Sequence, residues 1–318
     1  MPQMKNFITL ADLHDVAKII DLAKSCKNDP FAFEKLGHRK TLGLLFFNPS
    51  LRTRLSTQKA AKQLGLDVMV MNFSNEAWAI EYKNKTVMSG LRSEHVKEAA
   101  QVVSQYCDFV AIRAFATLTD KVRDEEEQVL REFAEYASVP IVNMESATAH
   151  PLQALADGLT IQEQVQVKKP KIVLSWAPHP KALPHAVANS FIRLMDHTEA
   201  DFVITHPEGY DLNPEIVGNN KVSYNQEEAL HGADVVYVKN WCSYTNYGAI
   251  LRTDDQWMMT PEKMKRTNNA FFMHCLPIRR NVVAADGVLD DDKSLVIEQA
   301  NNRTYATQAV LHQLLSHG

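Results

Sequence analysis

The sequence predicts an α/β chain of two domains, each a mainly parallel sheet flanked by helices. Three observations carry this. Short apolar, β-rich runs alternate with helical stretches, the pattern of parallel strands joined by helical crossovers. The rhythm restarts after Lys168-Lys169-Pro170 with Lys171-Ile172-Val173-Leu174-Ser175-Trp176. Finally, 318 residues are too many for one ordinary core and suit two domains of roughly 150 each.

In chain order, Met1-Pro2-Gln3-Met4-Lys5-Asn6 leads straight into Phe7-Ile8-Thr9-Leu10 and an amphipathic helix, a start that does not read as a signal peptide. Strands are expected at 41–47, 68–72, 109–113 and 140–143, with helices over 50–64, 93–105 and 124–138. A helical segment at 151–166 precedes the Lys-Lys-Pro break. The junction is therefore placed near 150, giving domains 1–150 and 151–318. Strands 171–176, 201–205, 234–238 and 270–274, with helices near 183–195 and 226–231, build the second domain. The last helix, about 303–316, is long enough to return to the first domain. No internal repeat or low-complexity tract interrupts the pattern.

Composition excludes several functions. A net charge of −4 gives no basic face for nucleic acid. No run reaches the ~18 apolar residues of a membrane span. Cys26, Cys107, Cys242 and Cys275 are scattered without CxxC spacing, which excludes a zinc ribbon and suits free thiols in a reducing cytoplasm. In a cytoplasmic chain the glycosylation-like Asn72-Phe73-Ser74 and Asn84-Lys85-Thr86 carry no weight. GxGxxG, Walker-type and HExxH motifs are missing, so nicotinamide, ATP-hydrolysing and zincin chemistry lose their usual support. No metal and no organic cofactor is expected.

Chemistry gathers after the strands. Phe46-Phe47-Asn48-Pro49-Ser50-Leu51-Arg52-Thr53-Arg54 runs from a strand into a helix that opens at Ser50. Two arginines and two hydroxyls in first helical turns, where N–H groups are unpaired and the dipole is positive, make a phosphate site. A lone Arg-x-Arg would read more simply as a solvated helix start; the preceding strand and the interleaved Ser and Thr favour phosphate. Arg113 closes the strand Phe109–Ile112, where an arginine needs an anion or a carboxylate. His150-Pro151-Leu152-Gln153 sits at a strand-to-helix junction, and each residue alone could equally be a cap or core-edge residue. Glu145, His179, Lys239 and His274-Cys275-Leu276-Pro277 also follow strands. Ligands of open parallel sheets bind beyond the carboxyl ends of the strands, so these candidates are expected to face one cleft between the domains. His274 is poorly placed to activate Cys275, since neighbours on a strand point oppositely; Cys275 and Leu276 are read as backbone contacts at a tight turn. Trp78, in the polar loop Asn75-Glu76-Ala77-Trp78-Ala79, caps a ligand or meets another subunit.

Together these residues resemble the aspartate/ornithine carbamoyltransferase family. The match is Ser-x-Arg-Thr-Arg at Ser50–Arg54, Arg113, His-Pro-x-Gln at His150–Gln153, and His-Cys-Leu-Pro at His274–Pro277. It spans both domains in the family's order. The resemblance implies two α/β domains with the active site in the cleft between them. It implies that Ser50, Leu51, Arg52, Thr53 and Arg54 bind the phosphate of carbamoyl phosphate. Arg113, His150 and Gln153 would then hold its carbamoyl group, with Cys275, Leu276 and Arg303 completing the site and Arg113, His150 and Thr53 acting in catalysis. It further implies a homotrimer with shared active sites, in which Trp78 enters a neighbour's site.

The departures narrow the substrate. The Asp-x-x-x-Ser-Met-Gly loop of ordinary ornithine enzymes is replaced by Lys239-Asn240-Trp241-Cys242-Ser243-Tyr244, and the Arg-Pro-Gly-Pro loop of aspartate enzymes is absent. The chain is most similar to the N-acylornithine carbamoyltransferases, which implies Glu145, His179, Lys239 and Arg279 as residues holding the acylornithine. In acetyl-type enzymes a glutamate precedes the Glu-His pair found here as Glu94-His95; this chain has Ser93. Serine leaves room for a second carboxylate that glutamate would repel, which favours N-succinylornithine over N-acetylornithine. Lys181 and Arg280 are basic candidates for that carboxylate. The resemblance thus implies carbamoyl transfer in arginine biosynthesis, yielding N-succinyl-L-citrulline, with the acetyl reaction and a non-catalytic phosphate-ligand binder as alternatives.

Overall fold

The computed structural model describes residues 4–316, so Met1–Gln3 of the amino-terminal reading lie outside the described residues. The chain divides into two units. The first holds the chain up to Thr117, Val122–Leu155 and the chain from Arg303 onward; the second holds Leu118–Lys121 and Ala156–Asn302. The division falls after Leu155, within a helix, where sequence composition suggests 150.

Helix α1 (Val16–Asn28) opens the first unit, capped by Asp15, whose carboxylate accepts from the Lys18 N–H at 3.0 Å. Strand β1 (Thr41–Phe46) is an apolar run buried at every residue after Thr41. Gly43 lets it lie close to Cys107, since a Cβ there would meet Sγ at 2.7 Å. There follow α2 (Arg52–Gln63), β2 (Asp67–Asn72), the parallel pair β3 (Ile80–Glu81) and β4 (Glu94–His95), α3 (Val96–Tyr106) and β5 (Phe109–Arg113). Then come α4 (Lys121–Glu125), α5 (Gln128–Tyr136), β6 (Ile141–Glu145) and α6 (Pro151–Gln164), whose residues from Ala156 belong to the second unit. The sheet runs β2-β1-β5-β6, all parallel. Strands β5 and β6 of the sheet are buried throughout, as helix-covered parallel strands must be. Leu45, Val110, Ile112, Leu130 and Phe133 pack together beneath it; truncating such a leucine costs about 2–5 kcal/mol.

The second unit contains β7 (Lys171–Trp176), α7 (Ala186–Met195), β8 (Asp201–Thr205), α8 (Pro214–Val217), β9 (Lys221–Ser223), α9 (Gln226–Leu230) and β10 (Val235–Lys239). After these come α10 (Pro261–Met264), β11 (Phe271–Met273), α11 (Asp286–Leu289) and α12 (Val296–Leu315), whose residues from Arg303 belong to the first unit. Its parallel sheet runs β11-β10-β7-β8-β9.

Each sheet reverses its strand order once, between β1 and β5 and between β7 and β10. Open sheets bind ligands at such switch points. Phe46 pairs with Arg113 at the first, and Trp176 with Lys239 at the second.

Four local expectations are corrected. The helix expected over 124–138 is two, α4 and α5, because Glu127 takes a left-handed φ of 48°. The helix expected to open at Ser50 opens at Arg52. The last helix begins at Val296, not 303. Residues 94–95, read as helix, form β4, and β3 and β9 are strands the periodicity did not show.

Candidate active site

Helix α2 starts without a side-chain cap. Leu51 stands at the N-cap, where Ser, Thr, Asp or Asn usually bonds the first N–H groups. The first turn carries Arg52, Thr53 and Arg54 and no acidic residue, so the positive end of the dipole is reinforced. Arg54 is steadied from behind: its Nη2 donates to Asn72 Oδ1 at 2.9 Å and its guanidinium lies 5.2 Å from the Phe46 ring. Asn72 is held in turn by the Glu76 carboxylate, which accepts from its N–H and Nδ2, each at 2.7 Å.

Behind this turn lies a chain of buried polar contacts. Arg113, 6% exposed, donates from Nη1 to the carbonyls of Asn48 (3.1 Å) and Pro49 (2.7 Å), and from Nε to Glu145 Oε2 (3.2 Å). The guanidinium also covers the Phe115 ring at 3.9 Å. Burial lowers the pKa of Arg113; Glu145 opposes the shift, and nearby Arg52 adds to it. Two arginines thus converge, and an anion between them relieves their repulsion. His150 Nε2 lies between an acceptor, Glu145 Oε2 at 3.5 Å, and a donor, Arg303 Nη2 at 3.4 Å. Arg303 Nη2 also donates to Thr53 Oγ1 at 2.7 Å, back in the first turn of α2. Thr53, Arg113, Glu145, His150 and Arg303 are therefore linked directly, and Gln153, 1% exposed, follows one turn along α6.

Glu145 is expected from the sequence among the acylornithine residues. Its carboxylate belongs to the first unit and is engaged by Arg113 and His150. Ser93 lies in the same unit, exposed, with its N–H donating to the Ala79 carbonyl at 3.2 Å. Trp78 is 58% exposed, and its Nε1 donates to Glu94 Oε2 at 2.7 Å.

In the second unit, His179 Nε2 accepts from Arg279 Nε at 3.2 Å, which leaves the ring proton on Nδ1, 2.8 Å from the Lys181 carbonyl. Partial burial lowers the pKa of His179, and nearby Lys239, Arg279 and Lys181 add to the shift. Lys239 and Arg279, beside the neutral His179 ring, thus form a cationic pair suited to a carboxylate. Arg280, the other basic candidate, is tied to Asp286 at 2.9 Å and Asp290 at 2.6 Å on the surface. After β11, Leu276 adopts φ 56°, and its N–H donates to His274 Nδ1 at 2.9 Å. His274 therefore serves the turn rather than the Cys275 thiol.

Sequence reasoning missed Glu127. Its Oε1 accepts from Ser146 Oγ (2.5 Å), Thr148 N (2.7 Å) and Thr148 Oγ1 (2.6 Å), which shapes the approach to His150. A glutamate in an acidic helical stretch carries no sequence signal for that task. Asn48 was visible in the Asn-Pro strand end; its Oδ1 accepts from the Phe115 N–H at 2.6 Å. Among the described residues no His, Cys, Asp and Glu group could hold a metal ion, and no helix is long and apolar enough to cross a membrane.

Comparison with known proteins places this geometry in a family. Residues 5–163 match the aspartate/ornithine carbamoyltransferase carbamoyl-P binding domain, and residues 184–314 the Asp/Orn binding domain. The chain is 47% identical to N-succinylornithine carbamoyltransferase of Bacteroides thetaiotaomicron, over 98% of this chain and 99% of the relative. It is 38% identical to N-acetylornithine carbamoyltransferase of Xanthomonas axonopodis pv. citri, over 90% of each. A crystal structure of a glutamate-to-serine variant of N-acetyl-L-ornithine transcarbamylase, complexed with carbamyl phosphate and N-succinyl-L-norvaline, superposes with a TM-score of 0.91 at 35% identity, covering 96% of this chain and 98% of the other. The chain belongs to the aspartate/ornithine carbamoyltransferase family.

Proposed function

We propose that the protein transfers the carbamoyl group of carbamoyl phosphate to the δ-amine of N-succinyl-L-ornithine, releasing N-succinyl-L-citrulline and phosphate, as a step of arginine biosynthesis. The observation that carries this reading is the buried chain Thr53–Arg303–His150–Glu145–Arg113, which ends at an uncapped, doubly cationic helix start. Ser50, Leu51, Arg52, Thr53 and Arg54 take the phosphate. Arg113, His150 and Gln153, with the backbone of Cys275 and Leu276, take the carbamoyl group. The neutral amine attacks the carbonyl carbon, a tetrahedral intermediate forms, and its collapse breaks the bond to the phosphate oxygen. Arg113, His150 and the Thr53 hydroxyl stabilise the oxyanion, each well-placed donor contributing roughly 3 kcal/mol. Arg52 and Arg54 stabilise the leaving phosphate, whose oxygens can accept the amine proton.

The succinyl group is supported by Ser93 and by the relatives. The acetyl-type pattern has glutamate at this position, and glutamate-substituted variants of N-acetyl-L-ornithine transcarbamylase are complexed with N-succinyl-L-norvaline. Lys239 and Arg279 supply positive charge for the acylornithine carboxylates, and His179 adds a neutral ring beside them. Four buried free cysteines suit a reducing cytoplasm.

A homotrimer with shared sites is part of the same reading, supported by exposed Trp78, Val87 and Leu91 in one stretch of the first unit. Mixing inactive Trp78→Ala and Arg113→Ala proteins should then restore some activity, because some sites draw both intact residues. No recovery after confirmed subunit exchange would make Trp78 serve its own chain. For the reaction itself, citrulline-type product is measured from carbamoyl phosphate with ornithine, N-acetylornithine and N-succinylornithine. Turnover should be greatest with the succinyl compound; none with any of the three would overturn the reading.

A further inference from the structure

A buried polar network in the second unit has no part in the reaction described above. Asp157 on α6 and Gln299 on α12 are both 0% exposed, and Asp157 interrupts an otherwise apolar run, Leu155-Ala156-Asp157-Gly158-Leu159. Gln299 Nε2 donates to Asp157 Oδ1 at 2.7 Å, and Gln299 Oε1 accepts the His274 N–H at 3.0 Å. A backbone N–H can only donate, and an ionised carboxylate can only accept. The Gln299 amide satisfies both in a single orientation. His274 Nδ1 then accepts from the N–H of Leu276, which holds a left-handed φ of 56° that L residues rarely adopt. Tyr237 on β10 is fully buried; burial first, then neighbouring Asp157 and Cys275, raises its pKa well above the usual phenol range, so its hydroxyl stays protonated. A core needs none of these groups for stability, since buried polar atoms cost free energy unless fully matched.

We propose that Asp157 and Gln299 are positioning residues that set the Cys275–Leu276 turn for carbamoyl transfer. The proposal rests on the reading above, in which the backbone of that turn holds the carbamoyl group. Asp157 fixes the amide of Gln299, Gln299 fixes the His274 backbone, and the His274 ring fixes Leu276. Misplacing a contact of this kind by about 1 Å lowers turnover on the order of 100-fold.

The test uses two substitutions in the full-length protein. Gln299→Met keeps the shape and removes both polar ends. It should lower kcat about 30-fold or more, leave the inhibition constant of inorganic phosphate within twofold, and speed amide exchange in the 273–277 segment at least tenfold. Gln299→Glu can still accept from the His274 N–H, and donates to Asp157 only while the pair holds a proton. Asp157 and His274 adjoin position 299 directly, and Tyr237 lies near Asp157 and Cys275. That variant should show a new alkaline fall in kcat, where loss of the shared proton sets two carboxylates against each other. A folded Gln299→Met protein with kcat within twofold of wild type would overturn the proposal. So would a Gln299→Glu pH profile superimposable on wild type, which decides alone if Gln299→Met does not fold. Absence of transfer by the wild-type protein would strike the functional reading, while amide exchange would still test the turn.

Discussion

The two sets of charged candidates are built differently. In the first unit Arg113, His150 and Arg303 are at most 6% exposed and bonded to one another through Glu145 and Thr53. In the second unit His179 and Lys239 are half-buried and Arg279 is exposed, with one hydrogen bond joining Arg279 to His179. A buried, cross-bonded set is oriented before any ligand arrives, which suits groups that stabilise a transition state. An exposed set is cheap to alter, because no buried partner is orphaned when a member changes. The difference teaches where each kind of specificity resides. On the proposed function, residues for the substrate shared across the family are embedded in the fold, and residues that select the acceptor lie on its surface.

Arg113→Ala should break the comparison most severely. Removing one partner of a buried ion pair leaves the other uncompensated and costs about 3–5 kcal/mol. Urea unfolding should register that loss, together with near-complete loss of turnover. Arg279→Ala should move stability by less than about 1 kcal/mol, since exposed charges contribute little. Equal destabilisation by both substitutions would erase the distinction between the two sets.

Ser93→Glu asks whether acceptor choice follows exposure even within the first unit. Two carboxylates about 4 Å apart cost around 4 kcal/mol at an effective dielectric of 20, before any steric effect. Activity on N-succinylornithine should fall accordingly, while N-acetylornithine, with no such charge, should be used better than before. Equal loss on both substrates would mean that the substitution merely damages the loop, and an unchanged succinyl preference would move the acyl pocket away from Ser93.

Arg52→Ala separates binding from folding inside the buried unit. Arg52 is only half-buried, at the first position of α2. Its loss should reduce carbamoyl phosphate affinity by roughly 2–3 kcal/mol, the range for a hydrogen bond to a charged group, with little change in unfolding. Unchanged affinity, measured by calorimetry, would remove the phosphate assignment.

Much of this contrast was legible in the sequence, for a physical reason. Parallel strands are continuous apolar runs, and their carboxyl ends must carry whatever binds ligand, so Ser50–Arg54, Arg113, His150 and Lys239 stand out. Arg113 announced an anion or a carboxylate partner because a charge at a buried strand end requires one, and Glu145 supplies a carboxylate. What stayed hidden depends on contacts between residues remote in sequence. A separation of 32 positions between Arg113 and Glu145 gave no hint of the pairing. Glu127 breaks a helix that its neighbours favour because its carboxylate is bonded 19 and 21 residues away. Asp157 was the one such signal left unread: a carboxylate inside an apolar helical run is seldom idle.

The smallest expected effect concerns the second unit's imidazole. His179 accepts a hydrogen bond from Arg279 through an unprotonated Nε2, and partial burial, with Lys239, Arg279 and Lys181, lowers its pKa from the usual 6.5. The unfolded chain therefore binds this proton more readily than the folded one. Stability from the neutral ring is fully present above the unfolded value and is lost as pH falls through the lowered folded value. His179→Asn removes the titration. The stability difference between wild type and variant should thus narrow as pH drops from 8 toward 5, by less than about 1 kcal/mol because the ring is only partly buried. Urea unfolding of both proteins across that range measures it. A difference that stays constant, or widens in acid, would show that His179 is not held neutral and that the Arg279 contact does not depend on its lone pair.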